Sequence, residues 1–434
     1  MKFDYELQIQ RFVNLIRAGE KPIHNFKVGV ELEHIIVHQN DGSSVPYLGD
    51  EGIEGIMQDL IAKGWVAHDE SGYVLTVTKE DMIITTEPGA QLEFSMTPKK
   101  TIAEMEETYN KFQSELLPIL EERGLWALSI AYHPKTKINE INLLPKDRYH
   151  NMFDYFKQHG SRSHNMMKGT CALQIAVDFS DEEDYRKKFY VSNMLSNVFY
   201  SMFENGFFFE GEPCEMHNIR AYIWENTDND RSGLVKGALD PDFNYEKYAK
   251  YLLERPAIYA YVDGEMTYTK GALIKDLVDP ENAKDEELMH LFTMFFPDVR
   301  TKNFIEIRMF DAVPYPLSFS AIALMKGLLY DEENLEELYQ SCRNLDVDRV
   351  MSARQELYYK GFGASQCERT VFEVALDLLE MARLGLPLDE RKYLEPLEEM
   401  LTNRMNPYLK TEELYKRGFI PSVKWCALGE GGNE

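Results

Sequence analysis

Four separate segments of this 434-residue chain alternate polar and apolar side chains with a period of two, and in each the polar set is rich in carboxylates and amides. In FKVGVELEHIIV (residues 26–37), Glu31 and Glu33 fall on one face of an extended chain inside an otherwise apolar stretch. In AQLEFS (90–95), Gln91, Glu93 and Ser95 share a face opposite Ala90, Leu92 and Phe94. In TCALQIAVDFS (170–180), Thr170, Gln174 and Asp178 oppose Cys171, Leu173, Ile175, Val177 and Phe179; in KNFIEIRMF (302–310), Glu306 and Arg308 oppose Ile305, Ile307 and Met309. Successive strand residues point to opposite faces, so each segment reads as a strand with one covered side.

One such strand is ordinarily the wet side of a half-covered antiparallel sheet. Four together leave two readings open: a solvated face, or a sheet whose polar side gathers Glu31, Glu33, Glu87, Glu93 and Glu306. On the second reading, so many carboxylates repel one another unless cations are bound. Hard oxygen donors without a Cys or His cluster favour Mg²⁺ over zinc. Mg²⁺ arrives with substrate phosphates, which offers a route to ATP without a phosphate loop. No GxxxxGK[ST], GxGxxG after a strand, GxSxG or HExxH motif is present. His34 and His38 lie in a predicted strand, where they read as a partly buried face and not as metal ligands.

The remaining elements set the class. Asp4 can cap a first helix ending at Gly19; residues 51–63 and 101–123 read as helices, and 73–77 and 125–133 as strands. Ser180 and Glu183 suggest a capping box for a helix over 181–204. From 317 to 418 the periodicity is helical, broken near 361–363 and 385–387. Strands before 310 and helices after it indicate an α+β fold, taken as one domain over 1–434 with a sheet-rich part (20–315) and a helical part (316–420).

Composition limits the partners. Against 73 Asp and Glu stand 47 Lys and Arg, a net charge of −26. Such a field disfavours nucleic acid and acidic membranes, and no apolar run approaches the roughly 20 residues of a membrane span. Phosphates would need a local basic site or bound cations. Five scattered cysteines without CxxC build neither a disulfide framework nor a zinc ribbon. The charged amino-terminal segment lacks a signal core, so a cytoplasmic protein is expected. Arg148 (in LPKDRY), Arg220 (in NIRAYIW) and Arg231 (in ENTDNDRSG) lie in loop-like stretches. Singly, each reads as a surface ion pair; as a set they could clamp carboxylates or phosphoryl groups.

KVGVELEH, TTEPGAQLEFS, PKDRY, MMxxTCxxQxxxDFS (166–180), RxxIWxxTDxDRxG (220–233), FPDVR (296–300), ExR at 306 and LLYD (328–331) occur in this order. Together they resemble glutamate–cysteine ligases of the plant and proteobacterial type, from roughly residue 10 to 418. The resemblance implies a strongly curved, mainly antiparallel six-stranded sheet surrounded by helices, related to glutamine synthetase. It implies an ADP-forming ligase that uses ATP, Mg²⁺, L-glutamate and L-cysteine to make γ-glutamylcysteine through a γ-glutamyl phosphate. It assigns Glu31, Glu33, Glu87, Glu93 and Glu306 to Mg²⁺, with Glu33, Arg220 and Arg308 catalytic. Arg148, Arg220, Trp224, Gln174 and Thr170 are implied substrate contacts, and Arg231 and Arg308 implied ATP contacts. A monomer or homodimer is expected. The regions 17–29 and 259–280, where the plant enzymes place members of their regulatory cysteine pairs, contain no Cys, so redox control of the plant kind is not expected. Two alternatives stand beside this reading: a ligase of the same fold acting on another amine, and a non-catalytic acidic binding protein.

Overall fold

The computed structural model describes residues 3–70, 72–262 and 264–430. Its centre is a nine-stranded sheet made of β1 (Val28–His38), β2 (Val66–Glu70), β3 (Tyr73–Lys79), β4 (Met82–Thr86), β5 (Leu92–Met96), β6 (Leu125–Leu128), β7 (Leu173–Val177), β8 (Val299–Thr301) and β9 (Ile305–Ile307). The order is β8-β9-β7-β1-β5-β4-β3-β2, with β6 paired to the end of β1, and every ladder is antiparallel. The antiparallel α+β architecture is as expected. Nine strands replace six because β2 and β3 carry the sheet outward past β4 and because β6 adds to β1.

The covered face is apolar and closes on helices. Phe94 of β5 stacks on Phe112 of α3 (Ile102–Glu122), with ring centroids 4.1 Å apart. Each such ring taken from water contributes about 1.5–3 kcal/mol. Helix α3 starts at a capping box in which Thr101 and Glu104 satisfy each other's amides. His34 sits on this covered face against Phe112, and burial pushes its pKa down to about 4. Cys171 is fully buried, as a packed thiol should be. The carboxyl-terminal part is helical, and its Leu317–Leu329 helix packs on Val371–Gly385. One apolar cluster runs from β1 through these helices. Among the described residues no helix is long and apolar enough to cross a membrane.

Three elements depart from the sequence pattern for identifiable reasons. The strand expected over 170–180 narrows to β7 because its ends are diverted. The Ala172 amide donates to the Glu33 carboxylate (2.7 Å) and the Asp178 amide to the Tyr330 hydroxyl (2.7 Å). The strand expected over 302–310 shortens to β9, because residues 302–304 turn the chain back from β8, with the Lys302 amide donating to the Phe304 carbonyl (2.8 Å). The helix expected over 181–204 splits at Leu195 into α6 (Glu182–Met194) and α7 (Ser196–Met202). Its cap is Asp181, which accepts from the amides of Glu183 and Asp184 (both 2.9 Å), and not Ser180.

Candidate active site

The strand register brings the polar residues into rows. Directly paired residues in an antiparallel ladder project to the same side. Glu31 stands between Gln174 on β7 and Ser95 on β5, while Glu33 opposes Glu93, which in turn opposes Thr85 on β4. At the far edge Glu306 opposes Arg300. The turn at 87–90 delivers Glu87 beside these rows. Gly89 is required there, because an added Cβ would lie 2.4 Å from the Lys168 carbonyl oxygen.

Over this floor lies a cavity of about 880 Å³, within the range of small-molecule sites. Its walls hold five carboxylates (Glu31, Glu33, Glu70, Glu87, Glu93) and five cationic groups (Arg148, Arg220, Arg300, Lys302, Arg308). The −26 charge of the chain therefore does not extend into the site. Thr170, Gln174 and Trp224 line it as well. A smaller cavity of about 320 Å³ adjoins it, sharing Glu31 and Gln174 and adding Glu306, Lys21 and Lys27.

The carboxylates are under electrostatic pressure. Burial raises the pKa of Glu33 to about 7, with Glu87 adding repulsion and Arg220 opposing it. Burial and then Glu31, Glu87 and Glu33 hold Glu93 well above the usual carboxylate range, and burial raises Glu31 and Glu87 also. Oxygen donors that resist ionisation together are the donor set a divalent cation relieves. Among the described residues no three His, Cys, Asp or Glu side chains already stand at metal-binding distance of one another; Glu31, Glu33, Glu87 and Glu93 are hard oxygen donors that line one cavity.

Glu306 behaves differently from the other four. Its buried carboxylate pairs with Arg300 (2.6 Å), Lys302 (2.9 Å) and Arg308 (3.0 Å). Burial would raise its pKa, but the three cations outweigh that and hold it well below the ordinary value. Arg300 and Lys302 were not singled out from sequence; the signal lay in the FPDVR motif next to ExR, whose hairpin turns both inward.

The remaining predicted residues divide by what their polar atoms already do. Gln174 donates to Glu33 (3.0 Å) and accepts from Arg308, so it positions both. Thr170 donates its hydroxyl to the Met166 carbonyl (2.7 Å), and its own carbonyl accepts from Gln91 (2.9 Å). Arg220 and Trp224 lie on α8 (Ile219–Glu225), and Arg148 on the first turn of α4 (Asp147–Phe156), so neither arginine is in a loop. Arg220 holds the carbonyl of Arg308 (3.0 Å), while Arg308 lies over the Trp224 ring (5.8 Å). Arg148 reaches the Tyr149 hydroxyl (3.4 Å), lies over the Tyr149 ring (5.1 Å) and lines the cavity.

Arg231 is a correction. It is fully buried, paired with Asp228 (3.0 Å), bonded to the Tyr155 hydroxyl (2.9 Å) and flanked by the rings of Tyr155 and Phe295. It lies outside the cavity lining, and its role as an ATP contact is withdrawn.

The fold has a counterpart among solved structures. The structure aligns with the glutamate–cysteine ligase of Francisella tularensis, solved in complex with AMP, at a TM-score of 0.56 and 14% identity, covering 96% of this chain and 90% of that one. Residues 27–409 match the glutamate-cysteine ligase family 2. The chain belongs to this family and is a ligase of glutathione biosynthesis. It is 28% identical to the chloroplastic glutamate–cysteine ligase A of Oryza sativa subsp. indica over 417 residues, covering 94% of this chain and 84% of the rice enzyme. It is 27% identical to the chloroplastic enzyme of Arabidopsis thaliana over 423 residues, 94% of this chain and 80% of that one. These relatives are chloroplastic by name, and they overturn the cytoplasmic expectation; a charged amino-terminal segment does not report compartment.

Proposed function

We propose that the cavity binds L-glutamate, L-cysteine and ATP, and that γ-glutamylcysteine forms through a γ-glutamyl phosphate, with ADP and phosphate as the other products. Family membership supports γ-glutamylcysteine as the product. The observation that carries the site assignment is the row structure: Glu31, Glu33 and Glu93 on one sheet face, with Glu87 on the adjoining turn and Arg148 and Arg308 lining the same cavity.

A γ-carboxylate is a poor electrophile at neutral pH, and phosphorylation supplies it with a leaving group. Glu31, Glu33, Glu87 and Glu93 would hold Mg²⁺, which when bound neutralises charge on the phosphates. Arg308, fixed by Gln174 and by the carbonyl held by Arg220, stabilises the phosphoryl oxygens as charge develops on them. Arg148, free on its cavity side, is placed to bind a substrate carboxylate. The aromatic wall of Tyr149 and Trp224 excludes water that would otherwise hydrolyse the acyl phosphate. The amine of cysteine then attacks the acyl carbon and phosphate leaves. No covalent enzyme nucleophile takes part, in keeping with the missing GxSxG motif. The whole chain serves as one catalytic domain in this reading.

Glutamate carrying ¹⁸O in its γ-carboxylate tests the chemistry. One ¹⁸O atom is expected in the phosphate released with each turnover. Phosphate free of ¹⁸O would exclude the acyl phosphate.

A further inference from the structure

We infer that His290 is the base that takes a proton from the α-ammonium of the acceptor amino acid, while Arg148 holds the carboxylate of the same molecule. The inference deepens the ligase reading above and rests on it.

An amino acid reaches the site as a zwitterion, and its ammonium has no lone pair with which to attack an acyl phosphate. A group on the cavity wall must accept a proton first. Glu31, Glu33, Glu87 and Glu93 are committed to the cation in this reading. Among the other described residues of the lining, Glu70 is paired with Lys146 (2.5 Å), and the arginines and Lys302 are already cationic. Tyrosines keep their protons at neutral pH. His290 is the neutral base that remains.

His290 lies in the last turn of the helix Asp285–Phe292, on the wall of the cavity and not on its sheet floor. Its ring meets the edge of Tyr261 (5.7 Å), which fixes its plane. Its buried Nε2 has no hydrogen-bond partner among the described residues. Buried polar atoms in native proteins are nearly always satisfied, so an unsatisfied nitrogen on a cavity wall marks the place of a ligand's N–H. The charged and titratable groups around it are Arg148 on α4, Tyr261 on the facing hairpin, and Glu286 and Glu287 one turn back on its own helix. Arg11, from the first helix, is spent on Asp285 at the far end (2.9 Å). Burial and then the charge of Arg148 lower the His290 pKa, so the imidazole is neutral when the site is empty.

The α-ammonium and α-carboxylate of an amino acid share one carbon. A carboxylate seated on Arg148 therefore brings the ammonium of the same molecule beside His290. That carboxylate also neutralises Arg148, which lifts the repulsion on the imidazole and makes it a better proton acceptor as the substrate binds. One ammonium N–H bond breaks and an imidazole N–H bond forms. The freed lone pair makes the C–N bond as the C–O bond to phosphate breaks, and the second proton leaves with the phosphate.

Assays of the full-length protein with Mg-ATP and L-glutamate, comparing L-cysteine with hydroxylamine as nucleophile, test this. Hydroxylamine is neutral at pH 7 and needs no base. In His290→Gln, kcat with L-cysteine is expected to fall about a hundredfold, with KM for L-cysteine unchanged and γ-glutamyl hydroxamate formed at the parent rate. The variant's rate with L-cysteine is expected to climb about tenfold per unit of pH as free amine accumulates, more steeply than the parent's. Equal losses with both nucleophiles would overturn the inference and make His290 structural. Unchanged kcat with L-cysteine, with or without a raised KM, or a pH profile parallel to the parent's, would overturn it as well. Parent protein that forms no γ-glutamyl product with either nucleophile would overturn the ligase reading and this inference together.

Discussion

Glu33 and Glu93 are paired residues of the β1–β5 ladder, so two half-buried carboxylates project side by side from adjacent strands. Cross-strand like charges destabilise a sheet, and here the pair is joined by Glu31 and Glu87 on the same cavity wall. The metal-free fold carries that repulsion in its floor.

Removing one of the four carboxylates should therefore stabilise the metal-free protein. Glu93→Gln keeps the acceptor for Thr85, now 3.0 Å from the carboxylate. We expect a gain of roughly 1 kcal/mol in metal-free stability. The rise in Tm on adding Mg²⁺ should be smaller than in the parent. Thermal melts with EDTA and with Mg²⁺ check both.

Arg231 should behave as a structural residue. Arg231→Met strands Asp228 in the interior and is expected to cost about 3–5 kcal/mol. The fraction that stays folded should bind ATP with the parent affinity. Denaturant unfolding paired with calorimetry separates the two; a selective loss of ATP affinity at unchanged stability would restore the nucleotide role.

Arg220→Lys tests the support under Arg308. A lysine ammonium cannot reproduce the guanidinium fork that spans the carbonyls of Arg308 (3.0 Å) and Met309 (3.4 Å). kcat is expected to fall about a hundredfold, the scale on which a loosened transition-state donor acts. Unchanged steady-state kinetics would remove Arg220 from the site.

Asp311 gives a pH dependence with a defined sign. Burial raises its pKa to about 7, although Arg220, 3.8 Å away, pulls in the other direction. Unfolded, the group titrates near about 4, so between about 4 and 7 the folded state holds more protons. Stability should fall as pH rises through that window and be level above it. Asp311→Asn, which keeps an oxygen for the Asn205 amide, should make the decline shallower. A steeper decline in the variant would contradict the assignment.

The period-two alternation was enough to place Glu31, Glu33, Glu93, Gln174 and Arg308 on one face, because strand geometry fixes the side on which a residue projects. Register is not fixed by alternation, and only the folded ladder shows that Glu33 meets Glu93 and that Arg300 meets Glu306. Arg231 and Arg148 look alike in the chain, each in a polar stretch beside aromatics. Burial alone separates them: Arg231 is spent on Asp228 and Tyr155, whereas Arg148 faces the cavity. β2 escaped notice because all five of its residues are exposed, so no apolar face marks it. Ser180 lost the cap to Asp181 because a carboxylate one residue on reaches two amides at once.

The most direct measurement of the central claim is product formation with Mg-ATP, L-glutamate and a panel of amines, following ADP, phosphate and the γ-glutamyl product. L-cysteine should accelerate ADP release well above 2-aminobutyrate, alanine and glycine, with one γ-glutamylcysteine formed per ADP. Fastest turnover with an unrelated amine, or no ADP with any acceptor, would contradict it.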